Sequence, residues 1–354
     1  MDSPYPNTPV VPRILDTQVG GHAGVLENED GSLIIKPALP LELKFYQALL
    51  TDPALASLHP FTPRFLGTLK LEGQLDESVK DPPAGIAVTP VEGAQKESIV
   101  LSNLSFGFLK PNILDVKLGT VLYDETASPE KVERMLKTAK ATTSLETGVR
   151  LTGFQVYDNN TSLPVNTPKS YGKSIKPSDL PDGIARFFPV GTSAPAEIPA
   201  TPEIPSSNPV LITPATAHPT NSGLPRRTLL PLLRAICSDV AEIREVYASL
   251  EIRMVGGSLL IVYEGDWARA EEGIGKLGMV IDDDEDGGYD EEEGEDDDND
   301  DDEEQLPYVI KLIDFAHTRL VPGEGPDKGV LKGLDTVISL LEGRIKDLES
   351  ADQS

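Results

Sequence analysis

The sequence predicts an α+β fold of antiparallel sheets and separate amphipathic helices, interrupted by two disordered inserts. Three observations predict it. Residues 10–124 alternate short apolar runs with Gly, Pro and Asp turns, the texture of hairpins. Two later segments carry an apolar stripe at helical spacing. Residues 189–225 and 282–304 bear too little apolar surface to offset the entropy of ordering them.

The elements follow in chain order. Val19, Val25, Leu33, Ile34 and Ile35 flank GGHAG and ENEDGS, which reads as strand, tight turn, strand. Pro129 and Glu130 open a helical reading over 129–150. Residues 189–225 hold nine prolines among Ser, Thr and Ala, an extended or disordered insert. Over 226–253, Leu229, Leu233, Ile236, Val240, Ile243, Tyr247 and Leu250 step by four and three, one core-facing stripe. Pro231 reads as its first turn. SLLIVYEGD and YVIKLIDFAH read as strands on either side of the acidic run. Paired as a hairpin, they make that run a loop insertion and not a tail. Val330, Leu334, Val337, Ile338, Leu341 and Ile345 mark a last amphipathic helix.

Charge and cysteine usage close several function classes. The 354 residues include 31 Lys and Arg against 58 Asp and Glu, a formal net charge of −27. Of the 23 residues in 282–304, 18 are acidic, so the rest of the chain carries −9. That balance argues against a nucleic-acid coat or an anionic-membrane binder, both of which need a basic face. The single cysteine, Cys237, permits neither an internal disulfide nor a zinc cluster, and a reducing, intracellular setting is expected. MDSPYPNTPVVPRILD lacks the basic and apolar regions of a signal peptide. No apolar run approaches the roughly 18 residues of a membrane span.

There is no GxxxxGK[ST] motif, GGHAG serves equally as a hairpin turn, and the four histidines suggest no Ser-His-Asp set. Three distant segments carry more. Lys36 ends the apolar strand SLIIKP, with Glu42 six residues on; a strand-end lysine can reach nucleotide phosphates while a carboxylate holds its ammonium. In PNILDVKLGT, strand alternation puts Asp115 and Lys117 on one face. Asp314 ends the strand of KLIDFAHT with Phe315 next and His317 three residues on, a layout suited to holding Mg²⁺ between phosphates. Each alone also fits an ordinary surface residue. In KVERMLKTAK, Lys131, Arg134, Lys137 and Lys140 recur every third residue, a drifting basic stripe on a helix. It suits a phosphorylated ligand and equally an ordinary solvated helix face.

Taken together, these segments resemble the inositol phosphate kinase family. Its PxxxDxKxG is matched by Pro111, Asp115, Lys117 and Gly119, its IDFAH by Ile313 to His317, and its SLL strand by Ser258–Leu260. ExxFY is matched by Glu42, Phe45 and Tyr46, and PDxGxLxGL by Pro326–Leu334. Order and spacing agree across about 20–345, inserts excepted. The resemblance implies a two-lobed, protein-kinase-like fold: a flexible N-terminus at 1–9, an N-lobe at 10–104, and a C-lobe at 105–350 carrying both inserts. It implies ATP and Mg²⁺ as cofactors and soluble inositol polyphosphates as substrates.

By the same likeness, Lys36 binds ATP phosphates and Glu42 orients it, while the backbone of Ser102–Leu104 reads adenine. Asp115 holds the ribose and faces the inositol, and Lys117 contacts substrate and the transferred phosphoryl. Asp314 ligates Mg²⁺ with Ser258 nearby, and His317 lies near the inositol, with Lys137, Lys140 and Gln155 as further substrate contacts. Two departures leave the charged groups intact: Ser102 stands where the family often has Glu, and Gly257 replaces the first of two serines before Leu-Leu. Only 31 residues separate Gly119 from Leu151, too few for an extra helical lid. An open pocket resembles that of the multikinases, with inositol hexakisphosphate kinases and dedicated trisphosphate 3-kinases as alternatives. The non-enzyme alternative is a nuclear scaffold whose acidic insert binds basic regulatory proteins. A monomer in nucleus and cytoplasm, binding neither nucleic acid nor membrane, is expected.

Overall fold

In the computed structural model, residues 25–70, 97–191, 222–285 and 306–351 are described, together with short strands at 13–14, 74–75 and 88–89. The first half builds β1 (Arg13–Ile14), β2 (Leu26–Glu27), β3 (Leu33–Pro37), α1 (Pro40–Thr51), a 3₁₀ segment over 53–61, and β4 (Phe65–Lys70). A two-stranded pair, β5 (Gln74–Leu75) with β6 (Val88–Thr89), precedes β7 (Glu97–Ser102). The main sheet runs β1-β2-β3-β7-β4, antiparallel throughout. The expected turn over ENEDGS is present: Asn28 and Gly31 close it by backbone hydrogen bonds, with Asp30 accepting from Ser32. GGHAG lies outside the described residues.

The second half centres on β8 (Pro111–Leu118). After it come α2 (Pro129–Ala141), α3 (Ser144–Thr147), β9 (Val149–Asp158), β10 (Leu163–Thr167), α4 (Lys169–Ser174) and α5 (Leu180–Phe187). The chain continues through β11 (Val190–Gly191), β12 (Leu224–Pro225), α6 (Arg226–Ala248), β13 (Ile252–Val255) and β14 (Ser258–Glu264). It ends in α7 (Trp267–Glu285), β15 (Tyr308–Ile313), β16 (His317–Leu320) and α8 (Lys328–Ser350). The second sheet is also antiparallel, ordered β10-β9-β8-β14-β15. β14 is almost wholly buried between β8 and β15, as its unbroken apolar run demands. The stripes of α6 and α8 bury Leu233, Ile236, Val240, Leu334, Val337 and Leu341 in the common core.

Several expectations need correction. The helix over 129–150 stops at Ala141, and Val149–Arg150 already belong to β9. Ser128 caps its start by accepting from the Lys131 N–H, as a capping serine before proline should. Pro231 sits inside α6, which begins five residues earlier; lacking an N–H, it leaves the Arg227 carbonyl without an intrahelical donor. The edges of the Pro-rich insert are ordered, because β11 and β12 pair in parallel. Between the two strands of the expected hairpin, which do pair, lies α7, and it runs four residues into the segment read as the acidic insert. The rest of that insert, and 192–221, lie outside the described residues.

Candidate active site

The two sheets bring three distant segments to one point. Lys36 comes from β3, Glu42 from the first turn of α1, Lys117 from β8, and Asp314 from the turn after β15. Lys36 Nζ lies 2.8 Å from Glu42 Oε1 and 2.9 Å from Asp314 Oδ1. Lys117 Nζ lies 2.9 Å from Asp314 Oδ2 and donates to the Gly256 carbonyl at 2.8 Å. Asp314 is thus a carboxylate with one ammonium on each oxygen. Its backbone is left-handed, at φ 65°, sparsely populated for any residue but glycine. Strain of this kind persists where the surroundings dictate it and clusters at functional sites.

The helix α1 shows how the local sequence builds the point. Residues three and four apart share a helix face, so Glu42, Phe45 and Tyr46 all turn inward and are buried. Glu42 meets Lys36, while Phe45 stacks on Phe315 at 4.4 Å between ring centroids and Tyr46 meets it edge-on at 5.6 Å. Just after β8, Gly119 turns the chain out of the strand at φ 99°, a conformation natural to glycine. The PDxGxLxGL segment is structural: Asp327 caps α8 by accepting from the Gly329 and Val330 N–H groups, and its other oxygen accepts from Met254 N–H.

Electrostatics follow from this packing. Burial acts to raise the Asp314 pKa, but Lys117 and Lys36 outweigh it and hold the carboxyl well below its ordinary value. For Lys36, burial acts to lower the pKa, and the charges of Asp314 and Glu42 reverse it, leaving it raised. Both groups are therefore fixed in their charged forms.

Two buried polar atoms beside the cluster have no hydrogen-bond partner among the described residues: Ser258 Oγ and Asp115 Oδ1. Ser258 is paired with Lys117 on one side and Ile313 on the other. Asp115 faces a bulge in β9, where Gly153 adopts φ 116°. Arg150 pairs with Lys117 across the strands. Its guanidinium pKa is depressed by burial, against the opposing charge of Asp115. Buried groups left unpaired are uncommon and call for a ligand or another explanation.

The remaining predicted residues lie elsewhere. Gln155 is not in the cluster: its side chain is buried and donates to the Pro111 carbonyl at 3.1 Å. It stabilises the β8–β9 ladder. Lys137 and Lys140 are exposed on α2, with no ion-pair partner among the described residues, whereas Lys131 approaches Asp124 at 3.9 Å. Ser102 has both its N–H and its hydroxyl engaged with the Arg64 backbone, and Leu104 sits in the turn that follows. His317 Nδ1 lies 2.7 Å from Asp124 Oδ2. It lines a cavity of about 330 Å³ with residues of the 119–126 loop and β13. Asp124 and the Gly256 carbonyl escape sequence reasoning, because a turn aspartate and a backbone oxygen carry no spacing signal.

Comparison with known proteins agrees with this architecture. A family model described as inositol polyphosphate kinase matches residues 98–204 and 221–342. The chain is 33% identical to the inositol polyphosphate multikinase of Saccharomyces cerevisiae, over 93% of this chain and 97% of that one. It is 25% identical to mouse inositol hexakisphosphate kinase 3, over 71% of this chain and 51% of that one. Among solved structures, the S. cerevisiae inositol phosphate multikinase Ipk2, in complex with ADP and Mn²⁺, aligns with a TM-score of 0.56 and 28% identity. That alignment covers 89% of this chain and all of the other. This chain belongs to the inositol polyphosphate kinase family.

Proposed function

We propose that this protein is an ATP-dependent inositol polyphosphate multikinase, phosphorylating inositol tris- and tetrakisphosphates at the 6- and 3-hydroxyls towards the pentakisphosphate. The observation that carries the reading is the Asp314 carboxylate held between Lys36 and Lys117 at 2.9 Å on each side. Phosphoryl transfer needs in-line positioning and neutralised charge far more than a strong base. Two lysines fixed in place by one carboxylate meet that need.

The donor set fits a nucleotide with a divalent ion. Asp314 offers a fully ionised carboxylate and Ser258 an unpartnered buried hydroxyl. No group of three or more His, Cys, Asp or Glu side chains among the described residues could hold a metal by itself. Mg²⁺ suits such a site, since it is commonly bound by one or two protein oxygens plus phosphates. When bound, it supplies charge neutralisation between the phosphates. The chain's own residues do the rest. Lys36, steadied by Glu42, binds the nucleotide phosphates, and Leu104 offers backbone to adenine, with Ser102 already committed to Arg64. Lys117, held by Asp314 and the Gly256 carbonyl, contacts the transferring phosphoryl. Asp115 receives a ribose or inositol hydroxyl on its free oxygen, beside Arg150.

Lys137 and Lys140 supply exposed cations for the acceptor's phosphates. Inositol hexakisphosphate kinase activity is the runner-up, since the mouse relative shares much of the chain. The acidic insert is proposed to bind basic nuclear regulatory proteins, in a monomer shared between nucleus and cytoplasm. Incubation with ATP, Mg²⁺ and inositol 1,4,5-trisphosphate, with the product isomers resolved, tests the main reading. Products phosphorylated at both the 6- and 3-positions support it. A single 3-phosphorylated product points to a dedicated 3-kinase, and a pyrophosphate made from the hexakisphosphate points to the runner-up.

A further inference from the structure

A buried carboxylate outside the charged centre holds the place where the chain passes from one sheet to the other. β7 is the last strand of the first sheet and β8 the first of the second, so residues 103–110 are the covalent link between them. We propose that Glu264 is a positioning residue that fixes the second-sheet end of this link, so that the nucleotide meets Lys36 from one sheet and Asp314 from the other at a set separation. The ligand rests on the function proposed above; the hold on the link does not.

Glu264 ends β14 opposite Pro111, the first residue of β8, and is buried. Its Oε2 accepts from the Leu109 N–H at 2.8 Å, and its Oε1 from the Lys110 N–H at 2.9 Å and the Asp266 N–H at 2.9 Å. Three donors exceed the two lone pairs of an amide oxygen, so a glutamine could not replace it. The Lys110 carbonyl accepts in turn from the Gly265 N–H at 2.8 Å. Lys110 Nζ donates to Asn159 Oδ1 at 3.0 Å and lies 3.2 Å from Asp266 Oδ2, while Asn159 Nδ2 donates to the Gly265 carbonyl at 2.8 Å.

The first-sheet end of the link has its own anchor. The Asn103 N–H donates to the Ser32 carbonyl at 2.8 Å, and Asn103 Nδ2 to the Gly31 carbonyl at 2.7 Å. Between the anchors Gly107 takes φ 87°, a conformation natural to glycine. Two fixed ends confine any turn of one sheet against the other to the few residues around Gly107, as in a hinge. The β14–β8 register carries the constraint to the charged centre: Glu264 pairs with Pro111, and six residues along the same strands Ser258 pairs with Lys117. A link held at both ends saves the cost of ordering it on binding, which is how preorganisation raises affinity.

Glu264→Gln keeps the shape and loses one acceptor. Its oxygen serves Lys110 and Asp266, and its NH₂ is left against the Leu109 N–H. Hydrogen exchange of the full chain, read by NMR at the Leu109 amide, should be slow in the wild type and at least about ten-fold faster in the variant. By calorimetry, the Kd for ATP with Mg²⁺ should rise about ten-fold, the scale of one charge-assisted hydrogen bond. KM for inositol 1,4,5-trisphosphate should not change, because Asp115, Lys117, Lys137 and Lys140 all follow the link. Should Glu264→Gln not fold, Glu264→Asp withdraws the carboxylate by about 1.5 Å and should move the same quantities the same way. Equal Leu109 exchange in wild type and variant overturns the hold on the link. Faster exchange with an unchanged nucleotide Kd, or the constants for both substrates rising together, overturns the positioning role. If the wild type binds no nucleotide, the proposed function falls and the positioning role falls with it, while exchange at Leu109 still decides the hold on the link.

Discussion

Phe315, the residue after Asp314, stacks on Phe45 of α1 with ring centroids 4.4 Å apart. The contact joins the helix that supplies Glu42 to the turn that supplies Asp314, so one helix face sets both ends of the Lys36 ion pairs. Phe45→Ala should cost about 3–5 kcal/mol of stability, the usual range for a buried phenylalanine, measured by urea unfolding. It should also lower kcat under folding conditions, because the left-handed Asp314 turn loses its backing. A variant equally destabilised but with wild-type kcat would sever the proposed link between this stack and the site.

Glu42→Gln keeps the shape of the helix face and removes one of the two charges on Lys36. Since charge-assisted hydrogen bonds contribute about 1.5–3 kcal/mol, KM for ATP should rise by about ten-fold or more. KM for the inositol phosphate should not move. Initial rates with each substrate varied in turn distinguish the two, and an effect confined to the inositol phosphate would assign Lys36 to the wrong ligand.

Stability should depend on pH in a defined way. The Asp314 carboxyl is depressed on folding, so its contribution is full above the unfolded value of about 3.9 and is lost as pH falls towards the folded one. The Lys36 pKa is raised, so its contribution is full below about 10.4 and is lost as pH rises through the folded value. Between these limits neither group adds slope. Urea unfolding at a series of pH values should therefore show Asp314→Asn with a weaker acid limb than the wild type. Parallel acid limbs would mean that the lysines do not stabilise the ionised carboxylate.

Deleting 286–304 should leave kcat within about two-fold, because every residue of the charged centre lies elsewhere in the sequence and fields between exposed charges are screened over roughly 8 Å at physiological salt. The deletion begins at 286 because α7 runs through Glu285. A folded deletion protein without turnover would make the acidic run part of the catalytic machinery.

Legibility differed from one residue to another for physical reasons. The period-two spacing of Asp115 and Lys117 and the four-three stripe of α6 could be read directly, since both patterns follow from backbone geometry. The meeting of Lys36 with Asp314, 278 residues apart, has no local signal and entered only through resemblance to a family. The helix α7 was missed because Gly273, Gly275 and Gly278 weaken its propensity, and its apolar turns merge into the acidic run. Gln155 is named as a substrate contact from its likeness to the family, and what its type alone does not reveal is that its strand position turns its amide NH₂ towards the Pro111 carbonyl. Arg150 owes its importance to the β8–β9 register, which sets it opposite Lys117.

The most direct test of the charged centre is the single-turnover rate of Lys117→Met with ATP, Mg²⁺ and inositol 1,4,5-trisphosphate at saturation. Methionine keeps the apolar stem and removes the ammonium. The rate should fall at least about 10²-fold, the scale of losing one transition-state contact, with the fold retained by circular dichroism. A folded Lys117→Met protein turning over at the wild-type rate would contradict the account.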